Sequence, residues 1–136
     1  MDASVILAAF DRDDTLHEPA RALLGDSSVT LATLDLARYE VTNVAIRAWR
    51  APERVSPLLE AIERISNDGG VLLSTHTLLA RAAQLAEEHI LSAYDAAYVA
   101  AATQTGRTLV SCDIRDLVSK GLASTPATPI QQTHPG

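Results

Sequence analysis

Hydrophobic positions along the chain follow two patterns, short apolar runs and stripes that recur every three to four residues. Short runs bounded by polar residues or glycine are typical of buried strands, and stripes at helical spacing are typical of helices that bury one face. We therefore predict strands at 29–32, 71–73 and 108–113. Helices are predicted just after Asp2, at 17–24, 34–50 and 52–65, from Thr75 or Thr77 to near His89, at 92–106, and at 114–120.

The segment 92–106 carries an unusually alanine-rich helical pattern. Alanine is a strong helix former with almost no side chain, so a helix of this composition can pack very close to its neighbours. Ser92 followed by Asp95 is a Ser-x-x-Asp pattern, which is typical of a helix start. We predict a central helix with Asp95 in its first turn.

The alternation of short apolar strands with amphipathic helices predicts an α/β fold. We expect a three-layer sandwich, with a mainly parallel sheet of four to five strands flanked by helices. At 136 residues and 47% hydrophobic content, the chain fits one domain with a real core. We assign residues 1–120 to this domain and expect a poorly ordered tail at 121–136, where prolines stand among Ser, Thr and Gln.

Charge and cysteine content narrow the classes of function. A net charge of −6 argues against a simple basic nucleic-acid binder, but not against a nuclease whose metal ions offset its own carboxylates. Cys112 is the only cysteine, which excludes an internal disulfide and favours a reducing cytoplasm. The apolar run from Val5 to Phe10 is too short for a signal peptide or a membrane span.

Four acidic residues stand at positions where function and local structure compete as explanations. Asp2 and Asp113 are placed at the carboxyl ends of predicted strands, where sites form in parallel sheets. Asp113 also fits a helix cap completed by Asp116, and Asp95 fits the first turn of its helix. Asp2 fits a cap as well, and Glu40 fits a solvated helix edge. Taken singly, each acid is explained by structure alone.

Taken together, the acids indicate a metal site. The order of strands and helices would bring several strand ends and adjoining helices to one edge of the sheet. Clustered carboxylates raise one another's pKa, so a stable cluster favours a bound divalent cation. Mg²⁺ or Mn²⁺ suits oxygen ligands, and the four histidines show no zinc-site spacing. The candidate ligands are Asp2, Glu40, Asp95 and Asp113.

Four fragments in this order and spacing resemble a known family. They are DAS at 2–4, YEVTN at 39–43, SAYDAAYVAAA at 92–102 and TLVSCD at 108–113. The chain resembles PIN-domain ribonucleases, and in particular the VapC-type toxins of bacterial toxin–antitoxin pairs. The resemblance implies a parallel sheet flanked by helices and cleavage of RNA with Mg²⁺ or Mn²⁺ held by three or four acids.

The resemblance also implies roles for individual residues. Asp2, Glu40, Asp95 and Asp113 match the catalytic and metal-binding acids, and Asp2 and Asp95 are the first choices for direct metal ligands. Metal-assisted hydrolysis of an RNA phosphodiester is then the expected reaction. The polar positions expected to support the first two acids are Ser4 and Asn43.

Two kinds of partner follow from the same resemblance. A cognate antitoxin would cover the helices near the acids and insert a basic side chain among them, which an acidic pocket favours. Homodimers are usual in this family, and the helix at 52–65 or the helix at 34–50 would supply the interface.

Three alternatives stay open at this point. The chain could be a non-catalytic PIN-like module that binds a partner, because only one residue precedes Asp2 and the first strand is short. It could be another PIN-type nuclease of RNA processing. An α/β phosphatase with an aspartyl nucleophile is the third reading, but it normally needs an Asp-x-Asp motif, and Ser4 stands at the second position.

Overall fold

A computed structural model describes residues 1–128, and helices make up most of this part of the chain. None of the described helices is long and apolar enough to cross a bilayer. In chain order the elements are α1 (Ala3–Phe10), α2 (His17–Leu24), β1 (Thr33–Leu34), α3 (Leu36–Arg47), a 3₁₀ turn (Pro52–Arg54), α4 (Val55–Asn67), β2 (Val71–Leu72), α5 (His76–His89), α6 (Ala93–Thr105) and a π-helical turn (Ile114–Val118).

Side-chain caps explain where several helices begin. The Asp2 carboxylate accepts a hydrogen bond from the amide of Ser4 and starts α1. Thr75, rather than Thr77, accepts from the amide of Leu78 and starts α5. Ser92 accepts from the amide of Asp95, which confirms the predicted start of the alanine-rich helix α6.

Two predicted helices have different bounds in the structure. The helix predicted at 34–50 is shorter, because Leu34 belongs to β1 and Arg50 has a left-handed backbone with φ of 52°. The helix predicted at 52–65 is split into a 3₁₀ turn and α4. Pro57 has no amide hydrogen to donate to residue 53, so a continuous α-helical ladder from Pro52 is impossible.

The predicted strands are mostly shorter than expected. The strand predicted at 29–32 is wrong in position, since pairing begins at Thr33. The strand predicted at 108–113 is reduced to one isolated parallel bridge between Val110 and Ser124. The helix predicted at 114–120 is a five-residue π-helical turn, and Asp113 caps it by accepting from the amide of Asp116 at 3.0 Å.

The α/β class is confirmed, with a small parallel sheet. Strands β1 and β2 pair in register, Thr33 with Val71 and Leu34 with Leu72. Further backbone hydrogen bonds attach neighbouring segments, from the Met1 amine to the Ala32 carbonyl (2.8 Å) and from the Asp2 amide to the Val110 carbonyl (3.2 Å).

Helix α6 lies at the centre of the core, as its composition predicts. Residues 96–101 are all buried, so the helix is covered on every side in its middle turns. It packs mainly against α5 and also contacts β1, while α1 packs on α2 and α3 on α4. The small alanine side chains allow this close approach, and they bring the first turn of α6 near the ends of its neighbours.

The predicted tail at 121–136 falls partly outside the described residues, which end at 128. Within the described part, the Ser124 carbonyl accepts from the amide of Ser111 at 2.9 Å. The division of the chain at residue 120 stays a prediction.

Candidate active site

Asp2 is a buried carboxylate that the protein holds with its own donors. The residue is only 5% exposed, and Oδ1 accepts hydrogen bonds from the amide and the hydroxyl of Ser4. The hydroxyl of Ser111 donates to the second oxygen, Oδ2, at 2.5 Å. Burial raises the pKa of Asp2, and the hydrogen bonds from Ser111 and Ser4 oppose that rise. Both oxygens of this acid are therefore engaged within the fold.

Ser4 and Ser111 connect Asp2 to the segment that carries Asp113. The Ser4 hydroxyl accepts from the amide of Cys112 at 2.8 Å, and the Ser111 hydroxyl accepts from the amide of Asp113 at 3.0 Å. The start of α1 and the residues before the π-helical turn thus form one hydrogen-bonded unit. Its effect is to place Asp113 relative to Asp2.

A second set of acids, which we call the acidic triad, consists of Asp95, Asp113 and Asp116. One carboxylate oxygen from each lies within 4.8 Å of those of the other two, and all three side chains are half-buried. Asp95 comes from the first turn of α6, while the other two come from the π-helical turn and its cap. These oxygens are spaced closely enough to share one cation.

The pKa of Asp95 shows that the three acids of the triad repel one another. Burial, followed by repulsion from Asp113, Asp2 and Asp116, raises the pKa of Asp95 to about 6, and Lys120 opposes the rise. Like charges this close stay ionised together only at a cost in free energy. A hard divalent cation with oxygen ligands would remove that cost, so the residues present fit Mg²⁺ or Mn²⁺.

Glu40 reaches the same region from α3. The hydroxyl of Tyr98 on α6 donates to its Oε1 at 2.8 Å. Burial raises the pKa of Glu40, the hydrogen bond from Tyr98 opposes this, and repulsion from Asp2 and Asp95 adds to it. Burial also raises the pKa of Tyr98, so that its hydroxyl stays a donor. Glu40 is therefore held in place by Tyr98 and is electrostatically coupled to two other acids.

The structure places the six residues predicted for the site in four different settings. It brings Asp95 and Asp113 together within the acidic triad. Asp2 and Glu40 lie close enough to repel Asp95 or each other, but protein donors occupy them. Ser4 contacts Asp2 directly. Asn43 is exposed, and no hydrogen bond to its side chain is found in residues 1–128.

Three residues of the site were missed or given other roles by sequence reasoning. Asp116 was interpreted only as a capping partner, although its spacing of three from Asp113 would place both on one face of a helical turn. Tyr98 lies within the alanine-rich helical pattern, where an aromatic side chain is usually explained by core packing. Ser111 gave no signal, because a serine in an apolar strand pattern does not reveal a partner that lies far away in the sequence.

Comparison with known proteins identifies the family of this chain. Residues 1–119 match the PIN domain family. The chain belongs to the PIN domain family. Ribonuclease VapC3 from Pyrobaculum aerophilum is a relative of this PIN domain protein, with 34% identity over 127 residues. The aligned region covers 88% of this chain and 92% of the relative, so the likeness extends through the whole domain.

Proposed function

We propose that this PIN domain protein is a Mg²⁺- or Mn²⁺-dependent endoribonuclease that acts in the cytoplasm as the toxin of a toxin–antitoxin pair. The observation that carries the proposal is the acidic triad, whose oxygens lie within 4.8 Å of one another. The 34% identity to a protein named as a ribonuclease supports RNA as the substrate. Hydrolysis of RNA phosphodiesters is the reaction that accounts for both the acidic triad and the similarity to a ribonuclease.

In this proposal the catalytic and metal-binding set is Asp2, Glu40, Asp95 and Asp113, as the resemblance implies, with Asp116 added. A divalent cation held by these acids would supply positive charge for the developing phosphorane and lower the pKa of a water molecule. Asp95 contributes the carboxylate with the clearest need for a cation, since its pKa is raised to about 6.

Several side chains position these acids. Ser4 and Ser111 donate hydrogen bonds to the two oxygens of Asp2 and so fix the orientation of its carboxylate group. Tyr98 fixes one oxygen of Glu40 and leaves the other free for a cation or a water molecule. These contacts hold the acids in place before substrate binds, which is the geometric requirement for metal-assisted hydrolysis.

The four- to five-stranded sheet is part of the proposal as well. Backbone hydrogen bonds arrange five chain segments side by side, around residues 124, 110, 1–2, 33 and 71. Two of these segments are paired strands, and the others are joined by single hydrogen bonds or one bridge. The arrangement supports a parallel sheet whose carboxyl edge carries Asp2 and Asp113.

Charge and exposed apolar groups support the proposed partners. A net charge of −6 and the acidic triad favour an antitoxin segment with a basic side chain. A homodimer through α3 is supported by two large apolar side chains on its surface, Tyr39 (81% exposed) and Ile46 (47% exposed). Sedimentation of the purified protein, with Ile46→Glu as the variant, tests this interface.

The test of the activity is cleavage of RNA by the purified protein, free of any partner, with Mg²⁺ or Mn²⁺. We expect cleavage that EDTA stops. Asp95→Asn should lower the rate by at least ~100-fold, because a neutral amide binds a divalent cation poorly. Asp13→Asn, an exposed acid outside the triad, is the matched control and should cleave as the wild type does.

Equal cleavage by the wild type and Asp95→Asn would contradict the catalytic assignment. An absence of cleavage by the wild type with either metal, on total cellular RNA, would favour the non-catalytic module instead. Circular dichroism and thermal unfolding of both variants show whether the fold is retained.

A further inference from the structure

Three large apolar residues are exposed on the segments that carry the acidic triad. Tyr94 (63% exposed) directly precedes Asp95, and Ile114 (50% exposed) directly follows Asp113. Ile90 (84% exposed) lies just before the residue that caps α6. We call Ile90, Tyr94 and Ile114 the apolar rim. Exposed apolar residues that gather at one place are typical of a binding surface, whereas single scattered ones are not.

The apolar rim lies beside the acidic triad. Carboxylate oxygens from the first turn of α6 and from the cap of the π-helical turn lie within 4.8 Å of each other, so Tyr94 and Ile114 flank the same point. The Nζ of Lys120 donates to the carbonyls of His89 at 2.8 Å and of Ile90 at 3.2 Å. Because Lys120 comes just after the π-helical turn, these contacts place Ile90 near that turn as well.

Ile90 has a backbone conformation that disfavours its own side chain. Its φ of 56° and ψ of 60° lie in the left-handed region, where a β-branched residue is a steric outlier and glycine is the usual choice. The fold gives little packing in return, since Ile90 is almost fully exposed. Strained residues concentrate at functional sites, where a bound molecule uses their side chains. A contact with a bound molecule therefore explains why isoleucine stands at this position.

Positive charge beside the triad favours RNA as that molecule. Arg115 lies on the π-helical turn with an almost fully exposed side chain, and its Nε is 3.9 Å from Oδ1 of Asp116. Lys120, the only lysine in a chain of net charge −6, follows the same turn. A divalent cation in the triad would add to this charge. Phosphates would meet cations here, and unpaired bases would meet apolar and aromatic groups, on which they stack.

We propose that the apolar rim binds the unpaired bases next to the phosphate that is cut, with Tyr94 stacked on one of them. Ile90 and Ile114 pack against the sugars and bases of neighbouring nucleotides, and Arg115 pairs with a flanking phosphate. This inference rests on the proposed nuclease function and extends it, because it assigns the side chains that contact the RNA bases. Bases in a duplex stack on each other, so their faces are not available to Tyr94.

The first test measures the binding of fluorescein-labelled oligouridine by fluorescence anisotropy. Ca²⁺, which also takes oxygen ligands, replaces Mg²⁺ so that the RNA is bound without being cut. Tyr94→Ala should weaken binding at least about fivefold, the lower limit for the loss of one base stacked on an aromatic ring. Tyr94→Phe keeps the ring and should bind as the wild type does. Leu79→Ala removes an exposed apolar side chain near the start of α5 and is the matched control.

An abasic oligonucleotide separates stacking on bases from all other contacts. A ribose-phosphate oligomer of the same length keeps the phosphates but offers no base to Tyr94. The wild type and Tyr94→Ala should therefore bind this oligomer equally. The same result is expected for the duplex of oligouridine with oligoadenosine, whose bases are paired and stacked.

Ile90→Gly tests the strained member of the apolar rim. Glycine adopts the left-handed conformation without steric cost, so the midpoint of thermal unfolding should not fall. The change also removes the exposed side chain, and oligouridine should bind about fourfold more weakly, the effect of one methylene group buried in the complex. Weaker RNA binding without a loss of stability is the result that a purely structural role would not give.

Several results would overturn the proposal. They are no binding of oligouridine by the wild type, an equal loss of affinity for the abasic oligomer in Tyr94→Ala, and unchanged binding by Ile90→Gly. Equal binding of oligouridine by the wild type and Tyr94→Ala would also overturn it, and would assign the apolar rim to a contact with a protein.

These measurements are independent of RNA cleavage. A protein that cuts RNA but binds oligouridine equally with and without the Tyr94 ring keeps the proposed nuclease function and loses only this inference. A protein that shows the expected binding but cuts no RNA contradicts the nuclease function alone.

Discussion

Asp2 and the acidic triad hold negative charge in opposite ways. Asp2 is buried, and two serine side chains and one backbone amide donate hydrogen bonds to its two oxygens. The triad is half-exposed, and its three carboxylates lie within 4.8 Å of one another. In the first region the fold supplies the donors that a buried carboxylate needs. In the second region the fold brings three carboxylates close together, and a bound cation would be needed to balance their repulsion.

The difference separates an acid that hydrogen bonds of the fold stabilise from acids whose mutual repulsion a bound cation would reduce. Buried polar groups that are fully hydrogen-bonded stabilise a unique arrangement, and removing one partner leaves the others unsatisfied. Repelling carboxylates at a surface destabilise the fold until a cation binds. Substitutions in the two regions should therefore change stability in opposite directions, while both reduce cleavage.

The largest effect is expected from Asp2→Ala. The change removes the cap of α1 and leaves the buried Ser111 hydroxyl without its acceptor, so the free energy of unfolding should fall by about 2–4 kcal/mol. Urea unfolding measures this, with Asp95→Ala as the comparison from the triad. The contrast between the regions fails if Asp95→Ala destabilises the protein as much as Asp2→Ala does.

The next effect is on the pH dependence of stability without divalent metal. The pKa of Asp95 rises from 3.8 to about 6 on folding, so the folded state binds the proton more tightly than the unfolded state. Its contribution to stability is therefore greatest at low pH and falls as the pH rises from about 4 to about 6. Urea unfolding across this range should show the decline, and Asp95→Asn should reduce it.

Urea unfolding in the presence of Mg²⁺ tests whether a cation relieves this repulsion. A cation bound to the triad stabilises the ionised acids, so stability above pH 6 should increase with Mg²⁺ concentration in the wild type and much less in Asp95→Asn. If the free energy of unfolding of the metal-free wild type rises between about pH 4 and about pH 6, the repulsion among the three acids of the triad is contradicted.

A smaller effect is expected from Tyr98→Phe. The variant keeps the buried ring and removes only the hydroxyl that donates to Glu40, so stability should fall by about 1 kcal/mol. The pKa of Glu40 should rise further, since that hydrogen bond lowers it. NMR titration of the Glu40 carboxyl carbon checks the second point, and an unchanged or lower pKa would show that Tyr98 does not hold Glu40 as a carboxylate.

The smallest effect is expected from Asn43→Ala. The Asn43 side chain is exposed and makes no hydrogen bond in residues 1–128, so the free energy of unfolding should change by less than about 0.5 kcal/mol. RNA cleavage decides its role. A loss of cleavage at unchanged stability would support Asn43 as a site residue, whereas unchanged cleavage would remove it from the site.

Short-range features of this protein follow from the sequence alone. The bounds of α2, the capping of α6 by Ser92 and the capping by Asp113 are all correct as predicted. Each depends on residues within about one helical turn, where backbone donors and a nearby side chain meet regardless of the rest of the fold. The central position of α6 also follows from its alanines, because side chains this small allow close packing.

The tertiary structure decided the features that depend on distant partners. The pairing that begins at Thr33, and the single bridge left in the segment 108–113, depend on which backbone segment lies alongside. The contact between Ser111 and Asp2 joins residues 109 positions apart, and that between Tyr98 and Glu40 joins residues 58 apart. No local pattern specifies such pairs, because they form only when packed helices bring the residues together. The sequence determined which residues carry negative charge, and the folded chain decided which of these charges are satisfied by hydrogen bonds and which repel.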